Sequence, residues 1–168
     1  MTLENRKGFT LIELILYVSV SALVALAATG LILLILQGRV KSQTIAEVEQ
    51  VGNQVMNLIT QTTRNSLRIN SPSTGATSSA LSLAHPSSTN NPTIFDIASS
   101  TIRITEGASL SVPLTSSRIL TSSLVFQNLS RANTSGTIKI QFTLIHQNPG
   151  GRNEYDYAKT FYGSATVR

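Results

Sequence analysis

Between Glu13 and Arg39 lie 25 consecutive residues without a charge, and Leu14 to Leu36 is apolar except for Tyr17, Ser19, Ser21, Thr29 and Gly30. A run of this kind exceeds the roughly 20 residues that carry a helix across a bilayer. It therefore divides the chain before anything else is read. Setting aside residues 1–69 leaves 99 residues, room for one small domain and too few for an ordinary two-domain enzyme. One soluble module on one membrane helix is the upper limit.

The eight residues Met1 to Gly8 are polar and end in Arg6, Lys7 and Gly8, immediately before the apolar run opens at Phe9. A secretory signal would show a shorter apolar stretch, about 7 to 15 residues, with a small-residue cleavage site beyond it. Here the run is longer, and after Gln37-Gly38-Arg39 an amphipathic pattern follows, so the apolar segment is expected to stay in the mature protein. Glu13 stands alone inside this run. A carboxylate in hydrocarbon costs on the order of 2.5 to 3.5 kcal/mol, so it calls for a partner or an escape to the interface. Two readings stay open on position alone: stabilisation near the helix N-terminus, or pairing with a cation from another chain.

The segment Lys7-Gly8-Phe9-Thr10-Leu11-Ile12-Glu13-Leu14 resembles the processing and assembly motif of type IV prepilins and type II secretion pseudopilins. The resemblance implies that a membrane-embedded prepilin peptidase cuts between Gly8 and Phe9 on the cytoplasmic side and methylates the new amine of Phe9. It also implies that Glu13, fifth in the mature chain, pairs with the N-terminus of a neighbouring subunit. Further implied partners are other pilin or pseudopilin subunits, a membrane assembly platform and its motor ATPase. The implied location is the bacterial inner membrane, single-pass with the leader in the cytoplasm, and after assembly a periplasmic or cell-surface filament. Arg6 and Lys7 before the span are balanced by Arg39 and Lys41 after it, so orientation rests on the resemblance. Gly30 stands where many major pilins carry a kinking proline; it excludes that kink but still weakens a helix by about 1 kcal/mol relative to alanine.

Beyond Arg39, Ile45, Val48, Val51, Val55, Leu58 and Ile59 recur at helical spacing and predict one buried face continuing to about Ile69, with Gly38 and Gly52 as weak points and Asn70-Ser71-Pro72 as the stop. A helix over 9–69 with its transmembrane part at 9–36 would measure about 90 Å. The remainder, 70–168, reads as β-rich. Residues 71–135 hold 26 Ser or Thr, yet Leu81–Leu83, Ile94–Ile97, Ile102–Ile104 and Leu110–Val112 are short strand candidates, the last confined by Pro113 to an edge or end. Residues 71–79 and 86–92 read as loops. Ile138, Ile140, Phe142 and Leu144 alternate with polar residues and give the clearest strand. Ile119–Leu129 precedes it. After the turn at Asn148–Asn153, Tyr155, Tyr157 and Phe161 continue a period of two, completing a three-strand antiparallel meander packed on the helix. The expected fold is α+β and pilin-like, a long N-terminal helix against a C-terminal antiparallel sheet domain.

The absence of cysteine excludes disulfides, thiolate metal sites and thiol catalysis. Set against the resemblance, in which major pilins often close their C-terminal region with a disulfide, it favours a minor subunit or a lineage that dispenses with the loop, and Lys159 to Arg168 is similar to the ends of some minor pseudopilins of the J-like or H-like kind. His85 and His146 lack motif partners, no serine sits in a nucleophile elbow, and Glu154 and Asp156 would share one side of a strand, more in keeping with a solvated face than a calcium site. The sequence predicts no enzyme, no cofactor and no small-molecule substrate. Asn128 and Asn133 begin glycosylation sequons, patterns too short to weigh. The net charge of +5, or +4 without the leader, is spread singly along the chain, which disfavours DNA contact. The rival to a filament subunit is a membrane-anchored adhesive module that never polymerises.

Overall fold

The computed structural model describes residues 8–131, 134 and 136–168; the leader residues Met1 to Lys7 and the second sequon at Asn133 lie outside them. Among the described residues one α-helix, α1 (Leu11–Arg64), is followed by nine strands: β1 (Arg68–Ser71), β2 (Thr77–Ser78), β3 (Leu81–Ala84), β4 (Thr93–Ala98), β5 (Thr101–Glu106), β6 (Val112–Pro113), β7 (Ile119–Asn128), β8 (Thr137–His146) and β9 (Ala158–Thr166). Two compact units result, residues 1–40 and 41–168.

In the first unit the helix is continuous through Gly30, and the large apolar side chains from Phe9 to Leu36 are exposed. It is the one described helix long and apolar enough to cross a membrane. Its polar residues are satisfied internally: the hydroxyls of Ser19, Ser21 and Thr29 donate to the carbonyls of Leu16, Val18 and Ala25 at 2.8 to 2.9 Å. In a medium without water, such back-bonding removes the cost of an unpaired hydroxyl.

The second unit packs residues 41–64 of α1 against antiparallel sheets. Thr44, Val48, Gly52, Val55, Ile59 and Thr63 form the buried stripe, at the three- and four-residue steps of a helix face. Two sheets complete the unit, ordered β1-β3-β4-β5-β6 and β2-β7-β8-β9. The predicted meander is β7-β8-β9. Ile138, Ile140, Phe142 and Leu144 of β8 are fully buried, and join Val48, Val55 and Ile59 of the helix with Leu81, Leu83, Phe95 and Ile102 of the other sheet in one core. On β7 the register shifts between Thr121 and Ser123. Such a bulge adds one residue to one strand. It moves the inward set from Ile119 and Thr121 to Leu124, Phe126 and Asn128.

Several expectations change. The helix spans Leu11–Arg64 rather than 9–69, because Arg68, Ile69 and Ser71 pair with β3. The interval 71–79 contains β2. Leu110 lies outside β6 and is 90% exposed, while Pro113 does sit on an edge strand. Glu154 and Tyr155 belong to a 3-10 turn (Asn153–Tyr155) and not to a strand. Lys41 of α1 holds that turn by donating to the carbonyls of Asn153 and Asp156 at 2.9 and 2.6 Å. Gly52 is no weak point; it is where the helix meets the ring of Phe161.

Candidate functional site

Gly8, Phe9 and Thr10 precede the first helical residue, Leu11. Thr10 caps the helix: the Glu13 amide donates to Thr10 Oγ1 at 3.3 Å, and the spacing Thr10-x-x-Glu13 is that of a capping box. The carboxylate of Glu13 thus falls in the first turn, where free amides and the helix dipole favour negative charge. Its Oε1 accepts from the hydroxyl of Tyr17, one turn on, at 3.4 Å. The ring of Tyr17 in turn meets Phe9 edge to face, 6.3 Å between centroids. Tyr17 therefore ties together the two residues singled out by sequence, Phe9 and Glu13. It was missed there, although the four-residue spacing from Glu13 was its mark.

Every described residue from Gly8 to Arg39 is exposed except Glu13, which is half-buried. No cation pairs with it among the described residues. The Gly8–Phe9 bond lies outside the helix, and beyond its chain neighbours no atom of the described residues comes within 4 Å of the place a Gly8 side chain would occupy. A peptidase needs access of this kind, since a helical peptide bond would first have to unwind.

The two histidines and Glu154 find partners within the fold. The His85 Nδ1 accepts from the Ser87 amide in an exposed loop. The fold gives His146 the partners its local sequence lacks: its ring stacks on Tyr155 at 5.4 Å, its Nδ1 lies 3.0 Å from the Gln147 carbonyl oxygen, and Nε2 faces Glu47 at 3.8 Å. Glu47 also meets Arg118 at 3.2 Å. Glu154 pairs with Arg152 at 2.9 Å, which holds its carboxyl below the usual range and raises the guanidinium. Asp156 is exposed, so the two acids share no strand face. No group of three or more potential metal ligands occurs among the described residues.

Residues 4–29 match the family model described as the prokaryotic N-terminal methylation motif, the prepilin signal of type IV pilins and pseudopilins. The matched stretch takes in Gly8, Phe9, Glu13 and Tyr17 and the apolar run as far as Thr29. Such a motif on an apolar N-terminal helix is consistent with membrane anchoring. No curated protein and no solved structure matches the chain.

Proposed function

We propose that the chain is a non-enzymatic, structural subunit of a pilin-like filament, and a minor one. A prepilin peptidase cuts between Gly8 and Phe9, Phe9 is methylated on its new amine, and Phe9 to Leu36 hold the protein in the bacterial inner membrane, leader side in the cytoplasm. Extraction into a periplasmic or surface filament by an assembly platform and motor ATPase follows. There the apolar helices pack together and Glu13 meets the N-terminal amine of a neighbour. A charge pair in such surroundings adds little stability but sets register between helices.

The observation that supports this reading best is the placement of the matched motif. Its glycine–aromatic junction lies outside the helix and is accessible, and its carboxylate is the one half-buried side chain between Gly8 and Arg39. The absence of cysteine supports the minor role.

The test is the intact mass and N-terminal sequence of the full chain co-expressed with a prepilin peptidase. A chain beginning at methylated Phe9 is the expected result. A chain still beginning at Met1 beside an active peptidase would overturn the proposal in favour of an anchored adhesive module.

A further inference from the structure

Four strands end the two sheets, and three of them are blunted. β2 and β6 have two residues each, and β6 carries Pro113; β1 has four, with a register shift between Ile69 and Ser71. Short length, proline and bulges are the ordinary means by which a sheet edge is kept from pairing with another chain. The fourth edge, β9, has none of them. It runs nine residues in unbroken register with β8.

The direction of its free groups follows from that register. The His146 amide donates to the Tyr157 carbonyl, and the Val167 amide to the Gly136 carbonyl. Residues opposite one another alternate between bonded and non-bonded pairs in an antiparallel ladder. The odd-numbered residues of β9 therefore bond to β8, and Ala158, Thr160, Tyr162, Ser164 and Thr166 turn their N–H and C=O groups outward. None of these five is charged or proline. Lys159, the one cation on the strand, points to the helix and bonds Glu49 at 2.6 Å. Among the described residues no backbone group pairs with this edge.

A cavity of about 530 Å³ opens at its far end, lined by Arg64, Asn65, Ser164, Ala165, Thr166 and Arg168. Neither guanidinium has an acid partner among the described residues. Two guanidiniums lining one cavity beside free strand groups suit a carboxylate carried on an extended segment.

We propose that the outer edge of β9 receives an extended acidic segment of a different protein as an added strand, its carboxylate seated between Arg64 and Arg168. The ladder supplies affinity and the carboxylate fixes register, as in strand addition generally. A second copy of this chain is the other occupant to weigh. Its own β9, Ala158–Thr166, carries Lys159 and no acid, so it would bring the two guanidiniums no side-chain carboxylate.

The experiment uses the full chain in detergent micelles with ten-residue peptides of alternating threonine and valine, ending in two aspartates or two lysines. Aspartate peptides are expected to bind and to slow amide exchange at Thr160, Tyr162 and Ser164, while Phe161 and Gly163, already bonded to β8, stay unchanged. Lysine peptides are expected to bind about tenfold more weakly, and R64E with R168E to reverse that preference. Tyr162→Pro, which removes an outward amide, should abolish binding; should it unfold the chain, N-methylation of alternate peptide residues probes the same contact and should also abolish it. Absence of protection with every peptide, or binding indifferent to peptide charge, overturns the proposal. Protection that rises with chain concentration without peptide assigns the edge to a second copy and overturns it equally. Cleavage after Gly8 bears on none of these readouts, so the two proposals fail separately.

Discussion

The ring of Phe161 on β9 lies so close over Gly52 of α1 that a Cβ on residue 52 would overlap three of its ring carbons. The ring has nowhere to go: it is 7% exposed and stacks on Phe142 at 5.2 Å with an interplanar angle of 21°. Alanine normally improves a helix by about 1 kcal/mol over glycine. Overpacking a rigid core costs about 1 to 3 kcal/mol, so the clash should win. Gly52→Ala is expected to lower the thermal midpoint of the solubilised chain, and Phe161→Leu in the same chain to recover part of the loss. A midpoint raised by Gly52→Ala alone would contradict the contact.

The neighbouring contact separates rigidity from closeness. A Cβ at Gly163 would meet the sulfur of Met56. Methionine is unbranched and can swing aside where a stacked ring cannot. Gly163→Ala should therefore cost less than Gly52→Ala in the same melt, although both glycines touch their partners comparably. Equal losses would show that closeness alone sets the cost.

Ser99 and Ser100 join β4 to β5 with φ of 49° and 58°, and Ala98 pairs with Thr101 across them. Two left-handed residues in a two-residue loop define the hairpin turn that matches strand twist, and Asn-Gly is its preferred sequence. A non-glycine residue pays about 1 kcal/mol or more for that conformation. Ser99→Asn with Ser100→Gly is expected to raise the urea midpoint with an unchanged slope. The Thr121 amide, which donates to the Ser100 carbonyl at 2.8 Å, should retain its slow exchange.

Glu49 and Lys159 give the unit a pH signature with two limbs. The hydrogen bond from Lys159, and then its charge, holds the Glu49 carboxyl below its usual 4.5. The same bond raises the Lys159 ammonium above 10.5. A depressed carboxyl stabilises the fold above its unfolded value, and that contribution is lost as pH falls through the folded one, below 4.5. A raised ammonium acts in the opposite sense: its contribution is present below 10.5 and lost as pH climbs through the higher folded value. Glu49→Gln should flatten the acid limb of a melting-point profile, and Lys159→Met the alkaline limb. Both groups are more than a third exposed, so the effects should be small and should shrink in high salt.

What could be read in advance follows the range of the interactions. The alternation of Ile138 to Leu144 reports a strand with one wet face, a local property, and β8 buries all four residues. The spacing of Val48, Val55 and Ile59 reports a helix face in the same way. Thr44, Gly52 and Thr63 lie on that stripe too, but apolar patterning passes over small and polar residues. Gly52 looked like a flaw because its partner is remote in sequence. Tyr155 continued the apolar period of β9 on paper, yet Lys41 holds its segment as a turn and Tyr155 stacks on His146. At the N-terminus the motif was local and therefore legible. Its internal partner Tyr17 was hidden in the apolar run, counted only as an interruption.

Tyr17 makes the assembly prediction sharper than removal of the carboxylate alone. If Glu13 serves to meet a neighbour's amine, Glu13→Ala should leave membrane insertion intact, because replacing a carboxylate by alanine makes the apolar helix easier to insert, and should sharply reduce recovery of the chain in filaments. Glu13→Gln should fail nearly as completely, since the amide keeps the volume but lacks the charge. Tyr17→Phe tests positioning: it keeps the ring against Phe9 but removes the hydroxyl that orients Glu13. Its expected effect is an intermediate loss of incorporation with normal cleavage after Gly8. Fractionation of membranes and sheared filaments, with the N-terminal mass of each variant, reads all three. Normal incorporation of Glu13→Ala would end the pairing role, and a cleavage defect in Tyr17→Phe would place that hydroxyl in processing instead.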